Sequence, residues 1–216
     1  MKILILGISG RTGKLVAEEA MRRGHKVIGI ARDRNRVGVE GAEIIEGTPY
    51  DYETVGKAIK GCDAVVGTLG SFPKDQGLFS KLKTNPDFMS VSMMNTIKHM
   101  KENGVKRIVL MTALGVGDSR KEVPMFFRIM INVTNIKYAY FDHDKQEKML
   151  ESSGLDWTVV RPVMLTDNNN ETGVEYNLKG DHKIKSAVSR NAVAHFILDC
   201  IEKGIFIGQK PGVAGK

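Results

Sequence analysis

The chain opens on "KILIL", residues 2–6, and runs directly into "GISGRTG", residues 7–13, where Gly7, Gly10 and Gly13 stand three residues apart. Glycines at this spacing either turn the chain or let the backbone come close enough to a phosphate for its N–H groups to bind it. With 23 glycines in 216 residues, a spaced triplet decides nothing by itself. Its surroundings do. The triplet follows an apolar strand, opens a segment of helical period ("TGKLVAEEAMRRG", 12–24) and lies in a strand-helix-strand unit that closes with "KVIGIA" (26–31). In that setting the first glycine permits a tight turn, the second admits a pyrophosphate and the third lets the helix pack close to the strand. The helix start adds unpaired N–H groups and the positive end of its dipole. Gly7, Ser9, Gly10, Arg11, Thr12 and Gly13 are the candidate phosphate-binding residues.

The elements that must hold this turn are legible from periodicity. Short apolar runs alternate with helical segments: "AEIIEG" (42–47), "YETVGKAIKG" (52–61), "DAVVGTLG" (63–70), a helical stretch over 86–103, and "RIVLMTA" (107–113). A long helical stretch then leads to "WTVVRP" (157–162), and a last helix over 191–204 leads into the apolar run "IFIG" (205–208). Near-continuous Val/Ile/Leu runs are strands buried on both faces, and strand-helix alternation implies right-handed crossovers in a parallel sheet. The expected fold is α/β, a doubly wound (Rossmann) parallel sheet with helices on both faces. It forms one domain over 1–216, with a small substrate-side excursion around 163–190. Gly24, Gly61, Gly104, Gly154 and Gly204 each follow a helical stretch, as left-handed C′ residues do. The polar, aperiodic segment 166–185 reads as a loop or a small mobile excursion.

Composition narrows the partners. The net charge of +7 comes from scattered basic residues with no Arg/Lys run, so a surface suited to small anionic ligands is expected and nucleic acid is not. Cys62 and Cys200 lie far apart, outside any metal-ligand spacing and flanked by apolar residues, as buried thiols in a reducing compartment are. The apolar start is too short for a secretion signal and no window reaches a membrane span, so a cytoplasmic location is expected.

At the end of the second strand, an acidic residue would receive the ribose 2′-OH of NAD, whereas arginine would pair with the 2′-phosphate of NADP. The residues there are "ARDRNR": Arg32, then Arg34 and Arg36, with Asp33 as the competing feature. NADP(H) is favoured over NAD(H), and Arg11 can close on the same phosphate from the other side. Thr68, Leu69 and Gly70 end the fourth strand, at the carboxyl edge where such sheets bind ligands.

The spacing G-x-x-G-x-x-G of "GISGRTG", with "GCDAVVGTLG" and "SGLDWTVVRP" in that order, resembles the atypical short-chain dehydrogenase/reductase proteins that bind NAD(P). That group includes biliverdin reductase B-type flavin reductases and NmrA-like nucleotide sensors. The resemblance places Arg32 on the adenosine phosphate. It has Asp51 and Tyr52 of "GTPYDY" reaching the adenine, with Asp51 also suited to cap a helix. It adds Thr112 and Pro162 to the cofactor site.

Short-chain dehydrogenases that oxidise alcohols use a Ser/Thr with a Tyr-x-x-x-Lys pair, the lysine lowering the tyrosine pKa. By resemblance, the Lys position here falls on His143 and the Tyr position on Ala139; Tyr138 and Tyr140 are each turned away by about 100° of helix. Thr112 remains after the fifth strand, but serine is replaced by Ala113. Glu147 stands where the biliverdin reductase B type has a second histidine. Alcohol chemistry is not expected. Two outcomes fit: NADPH-dependent reduction of a flavin or tetrapyrrole-type acceptor, with His143 and Thr112 as candidate catalytic residues, or non-catalytic NADP(H) sensing through a protein partner. The apolar run "PMFFRIMI" (124–131) is a candidate substrate wall, lid, core helix or dimer face.

Overall fold

The structure is a computed structural model and describes residues 1–70, 84–168, 171–178, 180 and 184–216. The N-terminal half follows the expected alternation: β1 (Lys2–Leu6), α1 (Arg11–Arg22), β2 (Lys26–Ala31), β3 (Glu43–Glu46), α2 (Tyr52–Ala58), β4 (Ala64–Gly67), α3 (Phe88–Glu102) and β5 (Arg107–Met111). Beyond it come α4 (Met125–Val133), α5 (Ile136–Glu151), β6 (Asp156–Pro162), β7 (Met164–Thr166), β8 (Val174–Asn177), β9 (Ala187–Ser189), α6 (Arg190–Glu202) and β10 (Gly212–Gly215).

Eight strands form one sheet in the order β3-β2-β1-β4-β5-β6-β10-β8, and β7 pairs with β9 in a separate parallel ribbon. Strand order reverses between β1 and β4, which is where doubly wound sheets open a crevice at their carboxyl ends. The period of two along each strand divides the core. Ile3, Ile5, Val66, Val109 and Val160 pack with α1 and α6, while Leu4, Leu6, Val65, Ile108 and Leu110 pack with α2, α3 and α5. On the first face, Glu19 of α1 accepts from Arg22 and Arg23, and Arg23 reaches Asp199 and Glu202 of α6 at 2.8 and 2.7 Å. The Arg22 hydrogen bond, helped by Arg23 and His195 against partial burial, holds the Glu19 carboxyl down at about 2.

Three expectations are corrected. The run 205–208 is not a strand: Phe206 has φ 58° and Gly208 φ 71°, and the chain turns there. The last strand is "GVAG", whose glycines and alanine carry no β-branched pattern but which is fully buried between β6 and β8. The segment 166–185 is not all loop, because β8 lies within it and pairs antiparallel with β10 at the edge of the otherwise parallel, doubly wound sheet. Finally, the helical stretch before β6 is two helices, broken at Thr134, whose φ and ψ of −109° and 169° are extended. All five glycines expected at helix ends have positive φ, between 60° and 83°.

Both cysteines are buried and free, and burial pushes their thiols up to about 11 for Cys62 and about 12 for Cys200. Among the described residues no helix is long and apolar enough to cross a membrane.

Candidate functional site

The three glycines of the β1–α1 turn are not equivalent. Gly7 has φ 90°, and a Cβ on it would lie 2.9 Å from the Thr68 carbonyl oxygen of the neighbouring strand end. A Cβ on Gly13 would lie 2.1 Å from the Gly7 carbonyl oxygen. The fold by itself requires these two glycines. Gly10 is different: its φ and ψ of −80° and 159° are open to any residue, and among the described residues a Cβ would meet only the Gly7 carbonyl, at 3.1 Å. Its open side faces solvent at the start of α1, beside exposed Ser9 and Arg11 and buried Thr12, and the first turn of α1 carries no acidic side chain. A space that a Cβ would fill, at an uncapped helix start, fits a pyrophosphate.

Around the end of β2 the charged groups divide into engaged and available. Asp33 accepts from the Asn35 N–H at 3.0 Å and pairs with Arg36 at 3.2 Å, and Arg34 donates to the Ile44 carbonyl. Arg32 is exposed, with no hydrogen bond or ion pair among the described residues. Asp51 caps α2, accepting from the Thr54 N–H at 3.0 Å and its hydroxyl at 2.5 Å; those bonds hold its carboxyl below the usual range. Tyr52 turns to α3: its ring lies 4.0 Å from that of His99 and its hydroxyl donates to Glu102. In this structure Asp51 and Tyr52 thus hold α2, and the helix cap is the role of Asp51 that the geometry displays.

At the carboxyl ends of the central strands, Thr68 spends its hydroxyl on the Leu6 carbonyl at 3.0 Å, Leu69 packs on the core and Gly70 is exposed. Thr112 follows β5, and buried Pro162 ends β6. The Thr112 hydroxyl donates to Glu147 of α5 at 2.8 Å, so its proton is directed into the protein. Glu147 is itself 1% exposed and is held by the 3%-exposed Arg161 of β6 through Nε at 3.2 Å and through Nη2. Arg161 also pairs with Asp118 of the 3₁₀ turn Gly117–Glu122 at 2.5 Å. Burial alone would raise the Asp118 carboxyl, but Arg161 and Lys210 hold it below its ordinary value. Lys210 completes the cluster, 3.6 Å from Glu147 and paired with Glu151. One ionic network therefore ties β5, β6, α5 and the 3₁₀ turn beneath Thr112.

His143 is buried, with Gln146 Nε2 3.1 Å from its Nδ1, and burial pushes its imidazole down from 6.5 to about 4. Near neutral pH it is uncharged and has no acidic proton to give, which is the physical difference from the donor role considered for it. In any reaction carried out at this site, His143→Ala should lower the rate by less than about tenfold, far from the effect of losing a positioned acid. Its depressed pKa also fixes a sign. As pH falls, the unfolded chain takes this proton near 6.5 and the folded one only near 4, so stability is full above that window and lost through it. Urea unfolding should show a loss of roughly 2–3 kcal/mol across the window that His143→Gln removes.

Neighbouring Asp142 accepts from the N–H groups of Met89 and Ser90 at 2.8 and 3.2 Å, capping α3 from α5. The α4 run is not core: only Ile131 is buried, Phe126 is 78% exposed, and Phe127 is half-buried. Sequence reasoning did not find the Asp142 cap, the Arg161 partner of Glu147, or Asp167, which pairs with Arg11 at 3.2 Å and Arg190 at 2.5 Å. No local pattern marks these contacts. Their partners are distant in the chain.

The family described as NAD(P)H-binding matches residues 7–204. The divinyl chlorophyllide a 8-vinyl-reductase of Arabidopsis thaliana is 24% identical over 238 residues, covering all of this chain, which spans 53% of that longer protein. Among solved structures, ChuY of Escherichia coli O157:H7, described as an anaerobillin reductase, superposes with a TM-score of 0.81 at 19% identity, covering 99% of this chain and 97% of its own. A short-chain dehydrogenase/reductase of Veillonella parvula in complex with NADP has a TM-score of 0.78 at 17% identity, covering 99% and 94%. These likenesses show the fold.

Proposed function

Since the chain belongs to the NAD(P)H-binding family, with the Rossmann fold of the atypical short-chain dehydrogenase/reductases, we propose that it is an NADPH-dependent reductase. The acceptor is a flavin or a conjugated, tetrapyrrole-type molecule. The observation that carries this reading is the pairing of an open cradle at Gly10 with a buried His143 whose imidazole is held neutral. When bound, the nicotinamide supplies the hydride. The chain's own residues do the rest. Gly10 and the start of α1 hold the pyrophosphate, and Thr112 presents its oxygen with its proton committed to Glu147. With His143 neutral and buried, the proton comes from water, a demand that an electron-poor conjugated acceptor meets and an alcohol or ketone does not. The names of ChuY and of the chlorophyllide reductase support this acceptor class.

NADPH oxidation with FMN, riboflavin and biliverdin as acceptors tests the proposal. Turnover with any of them supports it. Tight NADP binding without turnover across the panel would replace it with the NmrA-like sensing role.

For the cofactor, the available Arg32 and the engaged Asp33 support NADPH over NADH. Arg32→Ala should weaken NADPH binding about ten- to a hundredfold, the worth of a charge-assisted phosphate contact, and leave NADH binding nearly unchanged. Calorimetric titration of both cofactors reads this directly. Equal losses would assign Arg32 to the adenine or to the fold.

A further inference from the structure

The β7–β9 ribbon has a consequence at the mouth of the glycine turn. Its parallel register pairs Thr166 with Ser189, so the next residues along, Asp167 and Arg190, leave the ribbon side by side. Ser189 caps α6, which places Arg190 at the first position of that helix. The Asp167 carboxylate bridges two guanidinium groups, with Oδ1 2.5 Å from Arg190 Nη1 and Oδ2 3.2 Å from Arg11 Nη1. Arg11 is the first residue of α1, next to Gly10. One carboxylate thus joins the starts of two helices, each with the positive end of its dipole there. Glu171, also a carboxylate, accepts from the Ser189 N–H at 3.0 Å.

The two ion pairs are unequal. The Arg190 side chain is 10% exposed, whereas those of Asp167 and Arg11 are 65% and 66% exposed. The inner pair anchors Asp167. The outer pair is solvent-screened and costs little to part, since exposed pairs are worth about 0–1 kcal/mol.

We propose that Arg11 is an anion seat beside Gly10 in which Asp167, anchored on Arg190, acts as an internal counter-ion, and that the pyrophosphate of the dinucleotide competes with it for Arg11. The proposal rests on dinucleotide binding at the glycine turn and is independent of the acceptor. Arg11 turns from Asp167 to the ligand, while Asp167 stays on Arg190. The carboxylate therefore sets an upper limit on cofactor affinity, and it links the segment after β6 to occupancy of the turn.

Asp167→Asn keeps the shape and removes the charge. Calorimetry should show the variant binding NADPH, NADH and ADP-ribose about two- to fivefold more tightly than wild type, the scale of one exposed ion pair. Adenosine, which lacks the pyrophosphate, should bind unchanged. The variant's affinity should also fall more steeply with added salt, because one more positive charge is left for the phosphates to neutralise. Asp167→Glu, with the charge restored, should return to wild-type affinity. Unchanged affinity in Asp167→Asn would reduce the bridge to a surface ion pair. Weaker binding would mean that Asp167 pre-orders Arg11 for the ligand; either result overturns the proposal. Absence of dinucleotide binding in wild type would remove the seat itself and is read separately, before any variant.

Discussion

Gly10→Val should yield a folded protein whose affinity for NADPH and NADH has fallen by at least about a hundredfold, or roughly 3 kcal/mol. The backbone at Gly10 is extended and accepts valine, and among the described residues the only atom within reach of the new Cβ is the Gly7 carbonyl oxygen at 3.1 Å. That contact relaxes with a small shift of the turn. Replacing glycine at a helix start by a β-branched residue costs about 1 kcal/mol, which lowers the thermal midpoint of a chain this long by only about 2–4 °C. The isopropyl group, however, stands where the pyrophosphate must approach. Gly13→Ala is the contrasting variant: its Cβ would lie 2.1 Å from a backbone oxygen, so it should fail to fold stably. Calorimetry and thermal melts on the pair separate the ligand's requirement for glycine from that of the fold. A Gly10→Val protein with wild-type affinity would make the whole turn structural.

Glu147→Ala should destabilise the protein by about 3–5 kcal/mol, because it leaves the buried guanidinium of Arg161 short of its inner partner. Asp118 is no replacement, being 71% exposed, and Lys210 would then face Arg161 across the emptied space. The Thr112 hydroxyl loses its acceptor at the same time. Glu147→Gln keeps an oxygen for Thr112 and for Arg161 Nε while removing the charge, and should cost less, about 1–3 kcal/mol. Urea unfolding with an unchanged denaturant slope would establish both values. A loss below about 1 kcal/mol for the alanine variant would show that water or Asp118 satisfies Arg161. The network also carries a functional consequence. It locks the floor under Thr112, so the oxygen presented there is positioned by α5 and β6 together.

The particular elements show why some of this was legible and some was not. "KILIL", "KVIGIA" and "RIVLM" are continuous apolar runs whose neighbours decide their state, and β1, β2 and β5 stand where those runs are. The strand "GVAG" carries no such signal; it is a strand because β6 and β8 flank it and bury it. The sequence before β6 reads as one long helical stretch, yet the extended backbone of Thr134 divides it into α4 and α5. In the candidate site, the turn "GISGRTG" and the arginines after β2 were visible because a strand end, a turn and a helix start are contiguous in the chain.

By itself, then, the sequence determined the alternation of strands and helices, the glycine turn between the first pair and the basic residues beside it, since each depends on contacts within about one helical turn or one strand. Tertiary structure decided which glycine of the turn the fold leaves free to be replaced, because only the approach of Gly7 to Thr68 and of Gly13 to Gly7 shows that the fold itself needs those two. It decided the protonation of His143, because burial, and not residue type, sets that pKa. It also decided that Glu147 meets Arg161 and Thr112, 14 and 35 residues away, and that Asp167 meets Arg11 across 156. Such pairings arise from strand order and register in the folded sheet. No spacing along the chain encodes them.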